Sequence, residues 1–304
     1  MPRMHLLEPL LATCVVIGLS IPQPRCRAAD QGSARTADLT AEAEVHIYGA
    51  DHTTGEVVKF KEDGTKLWSF PNRNSHDVQV LPNGNVLINP GTVQEVAPDG
   101  TIVWEVGKPA VQNPESCQRL PNGNTVIADN AAHAVVEVSP DKQVVWKYDV
   151  PGNPSMRQVR RLDNGNTLIC ASSQHVVLEV NPAKEIVWRY ELPFPYLAQR
   201  LENGDTLISS GAGAGKKGYF LIEVDPAGKT VWKYGGDGAA AEEQLDWPSG
   251  FVRRPDGTIY VSECRSARIR VISPDRKTFR FITSPAMKHA ATIAVVEAAE
   301  SRTP

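Results

Sequence analysis

Short runs of β-branched and other apolar residues alternate with turn residues along almost the whole chain, a pattern that predicts many short strands and no long helix. Val78 to Leu81 and Val86 to Ile88 flank Asn83-Gly84, a dipeptide that provides the positive backbone angles of a two-residue hairpin. Val93 to Ala97 and Thr101 to Val106 then flank Pro98-Asp99-Gly100, a second hairpin turn. The four strands form one unit, and the unit repeats. Leu81-Pro82-Asn83-Gly84-Asn85 returns as Leu120-Pro121-Asn122-Gly123-Asn124, Leu162-Asp163-Asn164-Gly165-Asn166, Leu201-Glu202-Asn203-Gly204-Asp205 and, more weakly, Arg254-Pro255-Asp256-Gly257-Thr258. The glycines of these turns lie 39, 42, 39 and 53 residues apart, and the tryptophans from Trp68 to Trp232 lie 36, 42, 42 and 44 apart.

A period near forty built of four short strands predicts the blade of a β-propeller. Further units span 115 to 148, 157 to 190, 197 to 234 and 250 to 281, while 45 to 70 holds only three strands. The missing inner strand is expected from His289 to Glu297 near the other end of the chain, which closes the ring at six four-stranded antiparallel blades. The fold class is thus all-β, with the propeller over 44 to 298 and a short tail at 299 to 304. In the fourth strand of each blade a tryptophan, replaced by Phe279 in the last, is expected to pack between neighbouring blades.

The remaining sequence changes this picture little. Arg3 and His5, an apolar run from Leu10 to Ile21 and Ala28-Ala29 read as a secretory signal peptide over 1 to 29, with a flexible leader over 30 to 43. The expected location is secreted or periplasmic, with no transmembrane segment because the apolar run is too short to span a bilayer. A net charge of −3 offers no field for nucleic acid. Nothing in the composition calls for association beyond a monomer. After signal removal Cys117, Cys170 and Cys264 remain, an odd number that leaves at least one thiol free or paired between chains.

The theme Pro-Asp-Gly-x-Ile-Val-Trp-x-Tyr, seen from Pro98 to Val106, Pro140 to Tyr148, Pro182 to Tyr190 and Pro226 to Tyr234, resembles the repeats of pyrroloquinoline-quinone-like propellers. Together with His76-Asp77-Val78-Gln79-Val80-Leu81-Pro82-Asn83-Gly84-Asn85 it is similar to bacterial arylsulfotransferase-type propellers. The second resemblance implies a histidine nucleophile carrying a sulfuryl group, with further histidines and an arginine in the channel; the first implies a quinone cofactor held by metal-binding acidic residues, which this chain does not visibly provide. No cofactor is therefore assigned.

Alignment of the repeats places His76, Glu115, Arg157, Tyr196 and Ser249 at equivalent positions that start the inner strands, and His289 is aligned with them in the closing strand. Six side chains would then ring the channel mouth, able to bind an anion or move a proton. His133 and His175 precede the third strands of their blades and are expected to extend the rim; Asp51-His52 lies in the corresponding loop of the first blade. Arg119, Arg161, Arg200 and Arg253 repeat one residue beyond Gln118, Arg160, Gln199 and Val252, so one set should face the channel and the other lie between blades. Two insertions, Gly211 to Gly218 and Gly235 to Pro248, lengthen one edge of the loop face, with Trp247 and Tyr219 as aromatic anchors for a lid or a partner. Blade-building motifs outweigh any catalytic constellation. The expected function is binding of a small molecule, glycan or protein on the loop-rich face. The alternatives are an arylsulfotransferase-like enzyme with His76 as the catalytic group, or a quinone-dependent oxidoreductase.

Overall fold

The computed structural model describes residues 44 to 211 and 218 to 298. The expected signal peptide, the leader, the C-terminal tail and the centre of the Gly211 to Gly218 insertion lie outside them. In the described residues the chain forms six four-stranded antiparallel sheets. The first contains β1 (Val45–Asp51), β2 (Glu56–Lys61) and β3 (Lys66–Pro71), followed by a blade of β4 (Val78–Val80), β5 (Val86–Ile88), β6 (Val93–Val96) and β7 (Ile102–Val106). The third blade is β8 (Pro114–Arg119), β9 (Thr125–Asp129), β10 (Ala134–Val138) and β11 (Val144–Asp149); the fourth is β12 (Gln158–Arg161), β13 (Thr167–Ala171), β14 (Val176–Val180) and β15 (Ile186–Glu191). The fifth is β16 (Pro195–Arg200), β17 (Thr206–Ser210), β18 (Phe220–Val224) and β19 (Thr230–Gly235); the sixth is β20 (Pro248–Arg253), β21 (Ile259–Glu263), β22 (Arg268–Ile272) and β23 (Phe279–Ile282). The last strand, β24 (Ala290–Glu297), pairs with β1 as the innermost strand of the first blade, from Val45 opposite Glu297 to Asp51 opposite Ala290. The six-blade count and the closure by the chain ends are both as the repeat pattern predicts.

The apolar core is divided among the blade interfaces. Val126, Ala128 and Val135 of blade three meet Val159, Ile169 and Leu178 of blade four, and comparable clusters fill the other five interfaces. The tryptophans edge these clusters. The indole N–H groups of Trp68, Trp104, Trp146 and Trp188 donate to the carbonyls of Pro98, Pro140, Pro182 and Pro226, each in the next blade. Arg119, Arg161 and Arg200 stack on Trp104, Trp146 and Trp188 at 4.3, 5.1 and 5.2 Å. Their guanidinium groups pair with Glu95, Glu137 and Glu179 and donate to Gly123, Gly165 and Gly204. The arginine series is therefore an inter-blade ladder. Its last member departs from the series: Arg276, not Arg253, stacks on Trp232 and pairs with Glu223.

Phe279 does not replace the tryptophan. In blades one to five a β-bulge between the third and fourth strands puts tryptophan opposite the residue before the bulge, as Trp146 is opposite Glu137. The β22–β23 hairpin has no such bulge, so Arg280 takes the equivalent place opposite Val271. Arg280 faces blade one and pairs with Glu62, while Phe279 turns back and packs beside Trp232 at the interface with blade five.

Two consequences are measurable. A chain ending at Met287 loses β24, exposes the free edge of β1 beside the core, and is expected to be insoluble or to melt far below a chain ending at Ala298. Arg161→Ala strands a half-buried Glu137 and should cost about 2–3 kcal/mol in chemical denaturation. Arg253→Ala, which removes no ion pair, should cost under about 1 kcal/mol.

Candidate functional site

Four of the six inner strands, β8, β16, β20 and β24, start with β-bulges at one end of the channel. One extra residue interrupts the pairing between Pro114 and Ser116, between Pro248 and Gly250, and opposite Ala50 to Asp51, while Tyr196 and Leu197 together face the gap between Pro195 and Ala198. The extra residues, Glu115, Ser249 and Ala291, are thereby re-aimed toward the channel mouth. Polar residues at the ends of the second strands hold the incoming chain. Asn89 Oδ1 accepts from the backbone of His76 and Asp77 at 3.1 and 2.8 Å, and Asn130 Oδ1 accepts from Met156 at 2.8 Å. Asp51 Oδ1 accepts from Thr53 and Thr54, and its Oδ2 from His289 and Lys288, which holds its carboxyl below the usual carboxylate range against the opposing effect of burial.

These supports enclose a cavity of about 240 Å³ lined by His52, His76, Glu115, Arg157, Tyr196, Leu197, Trp247, Ser249, Cys264, His289 and Ala291. Its rim is a closed circuit. Arg157 Nη1 lies 3.5 Å from His76 Nδ1, and the His76 and His52 rings are 4.4 Å apart. The His52 backbone N–H donates to the His289 carbonyl at 3.4 Å, and the His289 ring stands 6.1 Å from Trp247. Trp247 meets Tyr196 at 6.3 Å, and the Arg157 guanidinium closes the circuit 5.0 Å above the Tyr196 ring. Glu115 lies behind Arg157, which donates to its Oε1, while Asn130 approaches its Oε2 at 3.3 Å. Leu197, Ala291 and Cys264 provide an apolar floor.

Burial dominates the electrostatics. It pulls His76 down from an ordinary value of 6.5 to about 3, with His52 and Arg157 acting in the same direction, and it also lowers His52. The 3.4 Å approach of His76 Nδ1 to Glu115 is therefore not an ion pair at neutral pH. Burial pushes Glu115 up against the opposing pull of Arg157, and it pushes the Cys264 thiol up to about 11, so that sulfur stays protonated. Two buried nitrogens on the wall have no hydrogen-bond partner among the described residues, Trp247 Nε1 and His289 Nε2. The Tyr196 hydroxyl is near the indole N–H but outside hydrogen-bond geometry. Trp247 also holds a left-handed backbone with φ of 59°, a costly conformation for a bulky residue.

The structure brings His76, Glu115, Arg157, Tyr196, Ser249, Trp247 and His289 to one cavity. Ser249 contributes wall only, its hydroxyl donating to Ala290. His289 is not at the position inferred from the repeats: the pairing of Asp51 with Ala290 makes Ala291 the equivalent of Glu115, and His289 enters two residues earlier, like Trp247. His133 and His175 do not line the cavity. Both have left-handed backbones, and their carbonyls accept from Val150 and Leu192; His133 Nδ1 lies 3.3 Å from Pro154 O, and His175 Nδ1 accepts from the Phe194 N–H. They brace the connections to the next blades. Repeat alignment does not select Leu197 and Cys264, because their exposure to the cavity depends on the bulges. The Gly235 to Pro248 insertion is pinned from beneath by the buried Arg270, which donates to the carbonyls of Glu242 and Gln244, to Tyr234 and to Glu263. Arg265 stacks on both proposed anchors, 5.8 Å from Tyr219 and 5.1 Å from Trp247. Cys117, Cys170 and Cys264 are buried and unpaired.

The other end of the channel opens into a wider space of about 710 Å³ lined by Gln79, Gln118, Gln158, Gln199, Arg160 and aliphatic residues of β4, β20 and β24. Its central polar groups are engaged: Arg160 grips Asp77 through two 2.8 Å bonds, and the glutamine side-chain oxygens accept from the backbone of the next blade. At the His76 end the unpartnered buried atoms are Trp247 Nε1 and His289 Nε2, whereas at the far end they are Nε atoms of Arg161 and Arg200, whose guanidinium groups are otherwise paired with Glu137 and Glu179.

No family model matches the sequence, and no curated protein matches it. Solved structures do match. A protein of unknown function from Bacteroides caccae is 16% identical, with a TM-score of 0.66 over 84% of this chain and all of its own. Virginiamycin B lyase from Staphylococcus aureus is 13% identical, with a TM-score of 0.52 over 80% of this chain and 75% of its own. The WD40 β-propeller domain of Doa1 is 13% identical, with a TM-score of 0.55 over 80% of each. Likeness at these identities shows the propeller fold and carries no chemistry.

The burial of His76 predicts an acid-sensitive site. The unfolded imidazole takes up its proton near pH 6.5 and the folded one only near pH 3, so stability present above 6.5 is lost as the pH falls through that window, at up to about 1.4 kcal/mol per unit. In denaturant titrations between pH 7 and pH 4, His76→Asn should give a shallower decline than the native chain; equal slopes would show that His76 titrates normally in the fold.

Proposed function

We propose that this protein is an exported propeller that binds a small molecule in the cavity ringed by His52, His76, Arg157, Tyr196, Trp247 and His289. The observation that carries this reading is the pair of buried, unpartnered nitrogens, Trp247 Nε1 and His289 Nε2, on the wall of a preformed cavity to which every blade contributes. Unsatisfied buried polar groups are costly, and a ligand that meets them offsets that cost. The apolar floor favours a carbon body, and the nitrogen-rich rim orients it.

At roughly 30 Å³ per water-sized group the cavity holds a compact ligand of about eight such groups. The tryptophans on which a tricyclic quinone would stack are packed between blades. For sulfuryl transfer His76 would be the nucleophile through Nε2, because its Nδ1 already lies between Arg157 and Glu115. Binding ranks first because the unpartnered wall nitrogens call for a ligand whether or not a group is transferred.

A fragment screen read by thermal shift and by Trp247 fluorescence tests the reading. Hits should bind one per chain and should be lost in Ala291→Leu, which fills the floor, while the variant keeps the native melting temperature within a few degrees. Hits that bind the variant as well as the native chain would place the ligand elsewhere.

A further inference from the structure

The polar groups around this cavity are unequally matched in kind, and the mismatch indicates what the ligand carries. Resting on the small-ligand reading above, we propose that the occupant is a small monocarboxylic acid with an apolar body. Its carboxylate would lie at the Arg157, Trp247 and His289 rim, with its carbon body on Leu197, Ala291 and Cys264.

Donors without partners line the rim. Arg157 directs Nη1 to Glu115 and His76, and its other guanidinium nitrogens have no bond to any described residue. Trp247 Nε1 is an indole N–H, which can only donate. His289 Nδ1 lies 3.3 Å from Thr53 Oγ1; when Nδ1 accepts from that hydroxyl, the buried Nε2 carries the proton and is a further donor. His52 and His76 add imidazoles that are uncharged at neutral pH, each with one donor and one acceptor nitrogen, and His76 Nδ1 serves as the acceptor for Arg157. Acceptors are in shorter supply. Glu115, the one carboxylate on the wall, is engaged at Oε1 by Arg157 and at Oε2 by Asn130, and the Ala290 carbonyl already accepts from Ser249 and Ser262. A ligand rich in donors would leave its own N–H groups unpaired here, whereas a planar carboxylate takes N–H groups on both oxygens.

The charge count limits the anion further. The cavity wall carries one guanidinium, Arg157, already partnered by one carboxylate, Glu115, and the two nearest imidazoles are neutral. Such a site has no net positive charge to spare, so a single carboxylate charge shared among several N–H donors costs less to bury than the two charges of sulfate or a phosphate ester. Size points the same way, since a benzoate-sized acid is close to the room available.

Isothermal titration of the full chain at pH 7 with benzoate, hexanoate, benzamide and inorganic sulfate tests the assignment. At least one of the two acids should bind one per chain, at least tenfold tighter than benzamide, with no heat from sulfate. Arg157→Gln should weaken the acid at least tenfold and leave benzamide unchanged. Trp247→Phe, which keeps a ring but removes the N–H, should weaken it several-fold in a chain whose circular dichroism matches the native one. Benzamide binding as tightly as the acids, or acid binding unmoved in both variants, would overturn the carboxylate assignment and leave the small-ligand reading intact. Absence of binding by both acids would overturn the assignment as well, while fragment hits sensitive to Ala291→Leu would still support a ligand of another class.

Discussion

Each blade of a propeller has an inner strand whose channel-side edge pairs with no other strand, and satisfying that edge is the constraint on which the rest of this molecule depends. Here the next blade's backbone is met by side chains. Gln79 and Gln199 bond both the N–H and the C=O of Arg119 and Arg253, Gln118 accepts from Arg161, and Gln158 accepts from Ala198. Asp77 does the same for Cys117 and in addition binds Ser116 and Arg160, joining blades two, three and four around a carboxylate that is almost fully buried. Unpaired backbone groups beside a core are expensive, so these bonds hold adjacent blades in register as well as in contact. Closure by β24 on β1 completes the same requirement where the chain ends meet.

The cavity arises from the way this constraint is met. At the far end of the channel the glutamines and Arg160 are bound up in edge satisfaction, so the wider space there offers aliphatic walls and engaged donors. At the near end four of the inner strands have bulged, and the edge is served by Asn89, Asn130 and Asp51 from the second strands. That arrangement leaves Trp247 Nε1, His289 Nε2 and the outer guanidinium nitrogens of Arg157 without a partner among the described residues. The three side chains converge on a partly open cavity with polar groups still unmatched, and Trp247 enters it from a left-handed backbone.

Burial then sets the chemistry. A site assembled from three histidines, an arginine and a glutamate reads as cationic on paper, yet removal from water keeps His52 and His76 neutral and sets Arg157 against Glu115. The cavity has many donors and little charge. A scaffold of this kind discriminates by the pattern of N–H groups more than by field strength, and its sensitivity to acid follows from the same desolvation.

The repeat of Asn-Gly turns, Pro-Asp-Gly turns and tryptophans was sufficient to determine six four-stranded blades and closure by His289 to Glu297, because turn chemistry and strand alternation are local properties. The same spacing placed His76, Glu115, Arg157, Tyr196 and Ser249 at one end of the channel, and the structural role of the tryptophans and of Arg119, Arg161 and Arg200 was legible from their period. What the tertiary structure alone decided depends on single-residue shifts. A missing bulge in the last hairpin put Arg280 where Phe279 was expected, and a bulge in β24 moved the strand-start position from His289 to Ala291. Arg270, whose role as the buried pin of an insertion has no repeat to announce it, was invisible for the same reason. His133 and His175 share a repeat position with a rim, but left-handed backbones turn them to brace the connections to the next blades. A strand's period reports which face a residue takes only until a bulge intervenes, and bulges are set by the packing of neighbouring blades, which no local pattern encodes.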